Sequence, residues 1–292
     1  MPVPTRQIRS AVQAALGEDL ILGDPTTAML LPDPVLARGT VKAHEAMVLA
    51  GVAAARQVFE EVDPSVRIVR AVADGTRVSS GASVLAAQGD ARALLMAERV
   101  VLNFLQHLSG VATLTSRFRA AVRGYPTIIL DTRKTTPGLR ALEKWAVTLG
   151  GGHNHRHSLG DGILIKDNHL ALLRAKRTGL AAACRLAKAR GPHGLRVIVE
   201  VHAIEEVAEA VEGGADVVLL DNMTPAQVRE AIAHIKGRAL VEVSGGITLQ
   251  NVQEMAAAGA NFISIGALTH SAPAANLSMD IVPVHSKRVS RR

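Results

Sequence analysis

Five basic side chains fall within one segment of the chain and could together bind an anion. They are Arg133, Lys134, His155, Arg156 and Lys166, and the segment between them is rich in glycine and histidine. Arginine, lysine and histidine pair with carboxylates and phosphates through charge-assisted hydrogen bonds. Their concentration predicts a ligand that carries several negative charges.

Two carboxylates and two glycine-containing turns follow farther along the chain. Glu200 and Asp221 stand at the ends of apolar runs, as do the turns Ser244–Gly246 and Ser264–Gly266. A glycine-rich turn before a helix offers free backbone N–H groups to a phosphate. A pair of carboxylates suits a divalent ion, ribose hydroxyls or a developing cation. Together these residues predict a site for a phosphorylated, polyanionic substrate.

The second half of the chain contains the elements that must position these side chains. Short apolar runs alternate with amphipathic helical patterns, and the last four runs recur about every 22 residues. The runs are TIILD, GILIK, RVIVEV, DVVLLD, ALVEVS and NFISIG. Such repetition predicts parallel βα units, whose strand ends would share the mouth of a barrel, where active sites are found.

The first half of the chain predicts a smaller α+β domain. Helical spacing of Ile8, Val12 and Leu16 indicates a first helix, and AAARQVFEEV indicates another. Short strands are predicted at LARGTVKA, AMVLAG, VRIVRAV and SVLAAQG. From Ala91 to Arg123 the pattern is helical, with an expected break at Ser109-Gly110.

These patterns divide the chain into two domains. We expect an N-terminal α+β domain over residues 1–110 and an α/β barrel over residues 111–270. The C-terminal segment, residues 271–292, is expected to pack back on the first domain. Met255–Met279 carries no charged residue, but its polar residues favour a helix end, a buried strand and a loop over a membrane span.

Composition narrows the function classes. Hydrophobic residues make up 48% of the 292 residues, aromatic residues only 2%, and the net charge is +7. Few aromatics argue against base stacking on a nucleic acid, so the basic balance points to anionic small molecules. A single cysteine and no apolar run behind the first charges predict a cytoplasmic protein without a signal peptide.

Two other features invite a chemical interpretation that we do not favour. His153, His155 and His157 could suggest a metal cluster, but the interleaved Arg156 suits anion binding better. Cys184 lies in the helical stretch AACRLAKA and is expected to be a small buried residue without a catalytic role.

One long segment resembles the signature of the quinolinate phosphoribosyltransferases. It reads LDTRKTTPGLRALEKWAVTLGGGHNHRHSLGDGILIKDNHL. GEDLILGDPTT and AERVVLNFLQHLSGVAT before it, and VEVH, LLDNM, VEVSGGI and ISIGALTHSAP after it, extend the resemblance over nearly the whole chain in the right order. Ser158, Val243 and Trp145 depart from the usual Gly, Ala and Tyr, and none of these changes removes a charged site residue.

The resemblance implies a fold, a reaction and a set of site residues. The fold would be an N-terminal α+β domain with an open seven-stranded α/β barrel, usually in a homodimer, with a higher oligomer left open. The substrates would be quinolinate and phosphoribosyl pyrophosphate, the cofactor Mg²⁺, and the product nicotinate mononucleotide for de novo NAD biosynthesis. No nucleic acid or membrane partner is expected. The implied substrate-binding residues are Arg99, Thr132, Arg133, Lys134, His155, Arg156, Lys166, Glu200, Asp221, Ser244, Gly245, Gly246, Ser264, Ile265 and Gly266.

The resemblance also implies how these residues divide the work. Arg99, from the neighbouring subunit, would join Arg133, His155 and Arg156 on the two quinolinate carboxylates. Lys134 and Lys166 would meet phosphate or pyrophosphate charge, and Glu200 and Asp221 would face the ribose and Mg²⁺. Those last four are the implied catalytic residues, and the two glycine-containing turns would hold the 5′-phosphate.

Four other functions stay open on the sequence alone. They are a phosphoribosyltransferase for nicotinate or another base, the molybdenum-transport-associated relative of the family, a Schiff-base aldolase using Lys166, and a basic nucleic-acid binder. Nicotinate needs cations for only one carboxylate, and the transport-associated relative lacks an intact IKDNH stretch. The aldolase would leave the acidic residues and the Ser-Gly-Gly turn unexplained, and the nucleic-acid binder predicts charges on an exposed face.

Overall fold

The structure is a computed structural model that describes residues 3–284. Its α-helices are α1 (Thr5–Asp19), α2 (Pro25–Leu30), α3 (Val52–Val62), α4 (Ala91–Ala121), α5 (Arg140–Leu149), α6 (Asp167–Arg174), α7 (Leu180–Arg190), α8 (Ile204–Glu212), α9 (Pro225–Ile235), α10 (Val252–Ala257) and α11 (Ala267–His270). Its strands are β1 (Leu36–Ala43), β2 (Met47–Val48), β3 (Arg67–Ala71), β4 (Arg77–Val78), β5 (Ser83–Asp90), β6 (Ile128–Leu130), β7 (Ile163–Ile165), β8 (Val197–Val201), β9 (Val217–Asp221), β10 (Leu240–Ser244), β11 (Phe262–Ser264) and β12 (Leu277–Pro283).

The chain forms two compact units. Among the described residues, the first contains residues 3–114, the segment Thr136–Gly150 and residues 272–284. The second contains Thr115–Thr135 and Gly151–Ser271. The predicted fold class, α/β with an N-terminal α+β part, is confirmed. Within the described residues, no helix combines the length and apolar character that crossing a bilayer requires.

The first unit is built on an antiparallel sheet in the order β12-β1-β5-β3. Buried and exposed residues alternate along β1, as expected where one face of a strand packs on a core. β12 pairs with β1 over its whole length, with Val41 opposite Met279, so residues distant in sequence share this sheet. The predicted basic tail from Lys287 onward lies outside the described residues.

Helix α4 runs without interruption through Ser109-Gly110, so the predicted break there is wrong. The two residues serve close packing instead. The Ser109 hydroxyl accepts from Ala50 N and donates to Ala50 O. A Cβ on Gly110 would overlap the carbonyl oxygen of Pro273. A helix can absorb a glycine at about 1 kcal/mol, and here glycine lets another segment approach its backbone.

The second unit is a parallel sheet in the order β6-β11-β10-β9-β8-β7. Its strands are the predicted apolar runs, and Val217–Leu220 is buried throughout, as expected for a strand covered on both faces. The expected seventh strand is a single parallel bridge between Leu130 and His153, so the described sheet has six strands. Glycines around that bridge, Gly150–Gly152, make a longer strand unfavourable.

The register of the parallel sheet brings the carboxyl ends of its strands to one edge. Glu200 pairs with Leu219 on the neighbouring strand, and Ser244 pairs with Asp221. Helix α9 shows how the connections are fixed, because Thr224 and Gln227 form a capping box and Pro225 occupies its first turn. The polar residues that end the strands therefore meet in space, as their periodic spacing predicted.

Candidate active site

A cavity of about 590 Å³ opens at the carboxyl edge of the parallel sheet, a volume typical of small-molecule sites. Fourteen predicted residues line it: Thr132, Arg133, Lys134, His155, Arg156, Lys166, Glu200, Asp221, Ser244, Gly245, Gly246, Ser264, Ile265 and Gly266. Leu164, Leu219, Glu242, Ile247, Ala267 and His270 line it as well, and sequence reasoning missed them. Arg99 is the one predicted residue elsewhere: it is exposed on α4, in the first unit.

Two arginines give one part of the cavity a buried positive charge. Among the described residues, the Nε atoms of Arg133 and Arg156 are buried without a hydrogen-bond partner. Burial lowers the pKa of Arg156 from its ordinary value, and the nearby charge of Arg133 lowers that pKa further. Both guanidinium groups stay charged at neutral pH. Buried N–H groups without acceptors cost free energy, and an anionic ligand would relieve that cost.

The backbone that presents His155 and Arg156 is held by Asp131, which follows strand β6 and is fully buried. Its carboxylate accepts from His155 N at 2.8 Å and from the amide of Asn154 at 2.6 Å. On the other side of the loop, Asp161 accepts from the backbone of His157 and Ser158. The Ser158 hydroxyl completes this turn by donating to Asp161 Oδ1 at 3.0 Å.

The imidazole of His155 has a defined tautomer in this arrangement. Its Nδ1 accepts from the backbone N–H of Arg156 at 2.7 Å, so the ring proton lies on Nε2. Nε2 lies 3.4 Å from Oε1 of Glu242, so its N–H dipole faces the carboxylate but without aligned hydrogen-bond geometry. Glu242 is only 2% exposed, and its negative charge partly offsets the positive charge of Arg156.

Glu242 could have been found by the signal that identified Glu200. Both are single charges inside a Val-rich run, VIVEV and LVEVS, and the two residues pair with Leu219 from opposite sides of β9. In β10 the residue singled out was Ser244 at the strand end, and Glu242 lies two positions before it. Because side chains alternate along a strand, Glu242 and Ser244 share a face.

A second group of charges lies at the ends of β8 and β9. Lys166 Nζ is 3.3 Å from Glu200 Oε2, and Asn222 Nδ2 donates to Asp221 Oδ2 at 2.8 Å. The His202 imidazole lies between the carboxylates, 3.7 Å from Glu200 and 3.7 Å from Asp221. Oxygen-rich and partly open, this group can hold a divalent cation.

The Ser244–Gly246 turn needs glycine for its backbone conformation. Gly245 has φ +86° and Gly246 φ +59°, a region that other residues adopt at a cost. The turn follows β10 and precedes helix α10, as predicted, but α10 begins at Val252, so the turn itself is not the N-terminus of the helix. Asn251 instead ties the turn down, since its amide donates to Gly246 O at 2.9 Å.

The Ser264–Gly266 turn allows close packing of the lysine that follows β6. A Cβ on Gly266 would lie 3.1 Å from Lys134 Cδ and 3.0 Å from His270 Nε2. The Thr269 hydroxyl donates to Lys134 O at 2.7 Å, which fixes this lysine's backbone beside the turn. The cavity therefore has two half-buried arginines, a lysine beside a glycine-containing turn, and carboxylates at the neighbouring strand ends.

The comparisons with known proteins cover nearly all of the chain. Residues 24–109 match the quinolinate phosphoribosyl transferase N-terminal domain, and residues 111–280 match the C-terminal domain. A Mycobacterium leprae nicotinate-nucleotide pyrophosphorylase [carboxylating] is 40% identical over 94% of this chain and 96% of its own length. A Nicotiana tabacum quinolinate phosphoribosyltransferase [decarboxylating] is 38% identical over 99% and 86%. The Francisella tularensis nicotinate-nucleotide pyrophosphorylase structure superposes with a TM-score of 0.90 at 35% identity, covering 96% of this chain and 98% of that one.

Proposed function

The chain belongs to the quinolinate phosphoribosyltransferase family, and we propose that it performs the family's reaction in the cavity at the edge of the parallel sheet. The enzyme is a pentosyltransferase. It transfers the phosphoribosyl group of phosphoribosyl pyrophosphate to quinolinate with decarboxylation, giving nicotinate mononucleotide, pyrophosphate and CO₂ in de novo NAD biosynthesis.

The observation that carries the residue assignment is the pair of buried, unpartnered arginine Nε atoms. Arg133 and Arg156 both line the cavity, and the Nε–H of each lacks an acceptor among the described residues, while Nη1 of Arg156 donates to Gly162 O at 3.1 Å. Quinolinate brings two adjacent carboxylates, which supply acceptors for both guanidinium groups. His155 contributes its Nε2–H as a third donor. In the absence of substrate, the carboxylate of Glu242 lies 3.4 Å from this nitrogen and supplies negative charge beside the three donors.

Transfer begins when the quinolinate nitrogen attacks the anomeric carbon as pyrophosphate leaves. The ring nitrogen is neutral at pH 7 and needs no general base. Positive charge develops on the ribose, and Glu200 and Asp221 stabilise it from the ends of β8 and β9. Lys134 and Lys166 stabilise the negative charge of the departing pyrophosphate, and the Ser244–Gly246 turn holds the 5′-phosphate through backbone N–H groups.

Decarboxylation follows from the product of the first step. Once the nitrogen is bonded to ribose, the ring is a pyridinium beside the C2 carboxylate. The C2–CO₂ bond breaks, its electron pair stays on C2 next to the positive nitrogen, and a proton then replaces the lost group. The ring is its own electron sink, so the chain's task is to orient the carboxylate through Arg133 and Arg156.

The donor set at the carboxylates fits Mg²⁺. Glu200 and Asp221 offer hard oxygen ligands at a partly open position, which Mg²⁺ prefers to share with water and phosphate oxygens. When bound there with pyrophosphate, the ion supplies positive charge to the leaving group. Lys166 lies 3.3 Å from Glu200, so its positive charge would add to that of an ion held at the carboxylates.

Two further parts of the proposal concern assembly and location. Arg99 is exposed on α4, and we assign it to the active site of a second copy in a homodimer, where it completes the cations around quinolinate. A cytoplasmic location is supported by the single cysteine, which can form no intrachain disulfide.

An activity assay tests the reaction itself. The protein is incubated with Mg²⁺, phosphoribosyl pyrophosphate and quinolinate labelled in its C2 carboxylate, and nicotinate mononucleotide and labelled CO₂ are measured together. We expect equal amounts of the two products, and almost none with Arg133→Met. Pyrophosphate release without CO₂, or unchanged activity in Arg133→Met, would contradict the proposal.

A further inference from the structure

His202 completes a group of three potential metal ligands that sequence reasoning did not identify. It follows β8 directly, two residues after Glu200, and its side chain is 46% exposed. Nε2 of its imidazole lies 3.7 Å from Glu200 Oε1, and Nδ1 lies 3.7 Å from Asp221 Oδ2. Lys166 contacts the other oxygen of Glu200, Oε2, so Oε1 is directed toward the imidazole.

The three residues are close enough to hold one ion. Each residue offers one ligand atom, and these three atoms all lie within 4.8 Å of one another. Metal bonds of about 2.1 Å place two ligand atoms on opposite sides of an ion about 4.2 Å apart, so the distances between the ligand atoms must shorten when an ion binds. Glu200 and Asp221 stand on adjacent strands, and the exposed His202 ring can rotate to close the distance.

Imidazole changes which ion this group prefers. Mg²⁺ keeps its water shell and favours oxygen ligands, whereas Mn²⁺, Co²⁺ and Zn²⁺ accept imidazole nitrogen readily. We propose that His202 is a direct ligand of the divalent ion at the Glu200–Asp221 site, and that its imidazole raises the affinity of this Mg²⁺ site for ions that accept nitrogen, such as Mn²⁺. The inference deepens the Mg²⁺ assignment above and rests on the proposed function only for the ion's role in turnover.

The competing explanation is that His202 is a counter-cation. A protonated imidazole between two carboxylates would reduce their repulsion without binding any ion. That role predicts that His202 competes with a cation for the carboxylates. Replacing His202 by Asn would then leave metal affinity unchanged or raise it for every divalent ion alike. A ligand role predicts a loss confined to ions that accept nitrogen.

Mn²⁺ binding to the metal-free protein, without either substrate, separates these roles. The free-Mn²⁺ electron paramagnetic resonance signal is followed during titration of the parent, His202→Asn, and His193→Asn, which changes an exposed histidine outside the cavity. We expect His202→Asn to weaken Mn²⁺ binding by about tenfold or more and Mg²⁺ binding, measured by competition, by less than about threefold. His193→Asn should match the parent for both ions.

A spectroscopic signature gives a second readout. Bound Mn²⁺ in the parent should show electron spin echo modulation from an imidazole nitrogen, and His202→Asn should lose it. Equal Mn²⁺ affinity in parent and variant, an equal loss for both ions, or a parent signal without nitrogen modulation would each overturn the proposal. Because no pyridine substrate is present, failure here is distinct from failure of the proposed reaction, which the labelled-CO₂ assay reports.

Discussion

Replacing Gly245 by alanine should damage the phosphate turn more than the same change at Gly246. Both glycines have positive φ, +86° and +59°, so alanine at either position costs about 1–2 kcal/mol in backbone strain. The space around them differs. A Cβ on Gly245 would lie 2.5 Å from Cγ and 2.9 Å from the backbone N of Asn222, whereas at Gly246 its nearest neighbour is Asn222 Oδ1 at 4.0 Å.

The clash at Gly245 is transmitted through Asn222 to the carboxylate of Asp221. Asn222 donates from its backbone to Ser244 O at 2.9 Å and from its side chain to Asp221 at 2.8 Å. Moving Asn222 weakens both bonds, about 1 kcal/mol each. Gly245→Ala should therefore lower the free energy of unfolding by about 2 kcal/mol more than Gly246→Ala does. For a unit of this size, that difference corresponds to roughly 4–8 °C in melting temperature. Displacing Asp221 should also lower kcat/KM for phosphoribosyl pyrophosphate by about tenfold or more.

Thermal unfolding of both variants beside the parent provides the measurement, with steady-state kinetics on the same preparations. Equal melting temperatures for Gly245→Ala and Gly246→Ala would refute the reasoning. Backbone strain from the positive φ that both positions share would then account for all of the destabilisation, and the contact with Asn222 for none of it. A Gly245→Ala variant with parental kinetics would refute the link from the turn to Asp221.

Three further outcomes follow from the described contacts. Lys166→Ala should lose most activity but melt within about 4 °C of the parent, because its partly exposed pair with Glu200 adds at most about 1 kcal/mol to stability; a larger drop would make Lys166 structural. Arg99→Ala and Lys166→Ala, refolded together, should regain about a quarter of parental activity, since half the dimers are mixed and each has one intact site; mixed dimers without activity would refute a shared site. Cys184 is buried, and burial raises the pKa of its thiol to about 11, so only about one thiol in a thousand is ionised at pH 8. Ellman's reagent should therefore react with Cys184 only after unfolding. Rapid reaction of the folded protein would contradict that burial.

The sequence was sufficient to predict the parallel strands and most of the residues that line the cavity. That success has a physical cause, since a polar residue that ends a buried run every 22 or so residues has few structural uses apart from a shared mouth. The periodic pattern predicts that successive strands are neighbours in the sheet, but it does not give the position of β6, which pairs with β11. The six apolar runs gave no sign of the additional parallel bridge between Leu130 and His153, which no hydrophobic run accompanies.

The residues that were missed depend on side-chain direction and tertiary packing. Glu242 lies inside a strand, and only the register that aligns it with Leu219 and Glu200 shows that it faces the cavity. His202 stands beyond the end of β8, where sequence gives no measure of its 3.7 Å approach to Asp221. Ser109-Gly110 was read as a helix break because its real partners, Ala50 and Pro273, are distant in sequence.

Arg133 and Arg156 each carry a buried Nε–H group that has no acceptor among the described residues. We propose that the two carboxylates of a dianionic pyridine supply these acceptors. The most direct measurement is the ratio of kcat/KM for quinolinate to kcat/KM for nicotinate, under identical Mg²⁺ and phosphoribosyl pyrophosphate. A site that leaves buried cations unmatched when one carboxylate is missing should prefer quinolinate by up to about four orders of magnitude. A ratio near one would contradict the account.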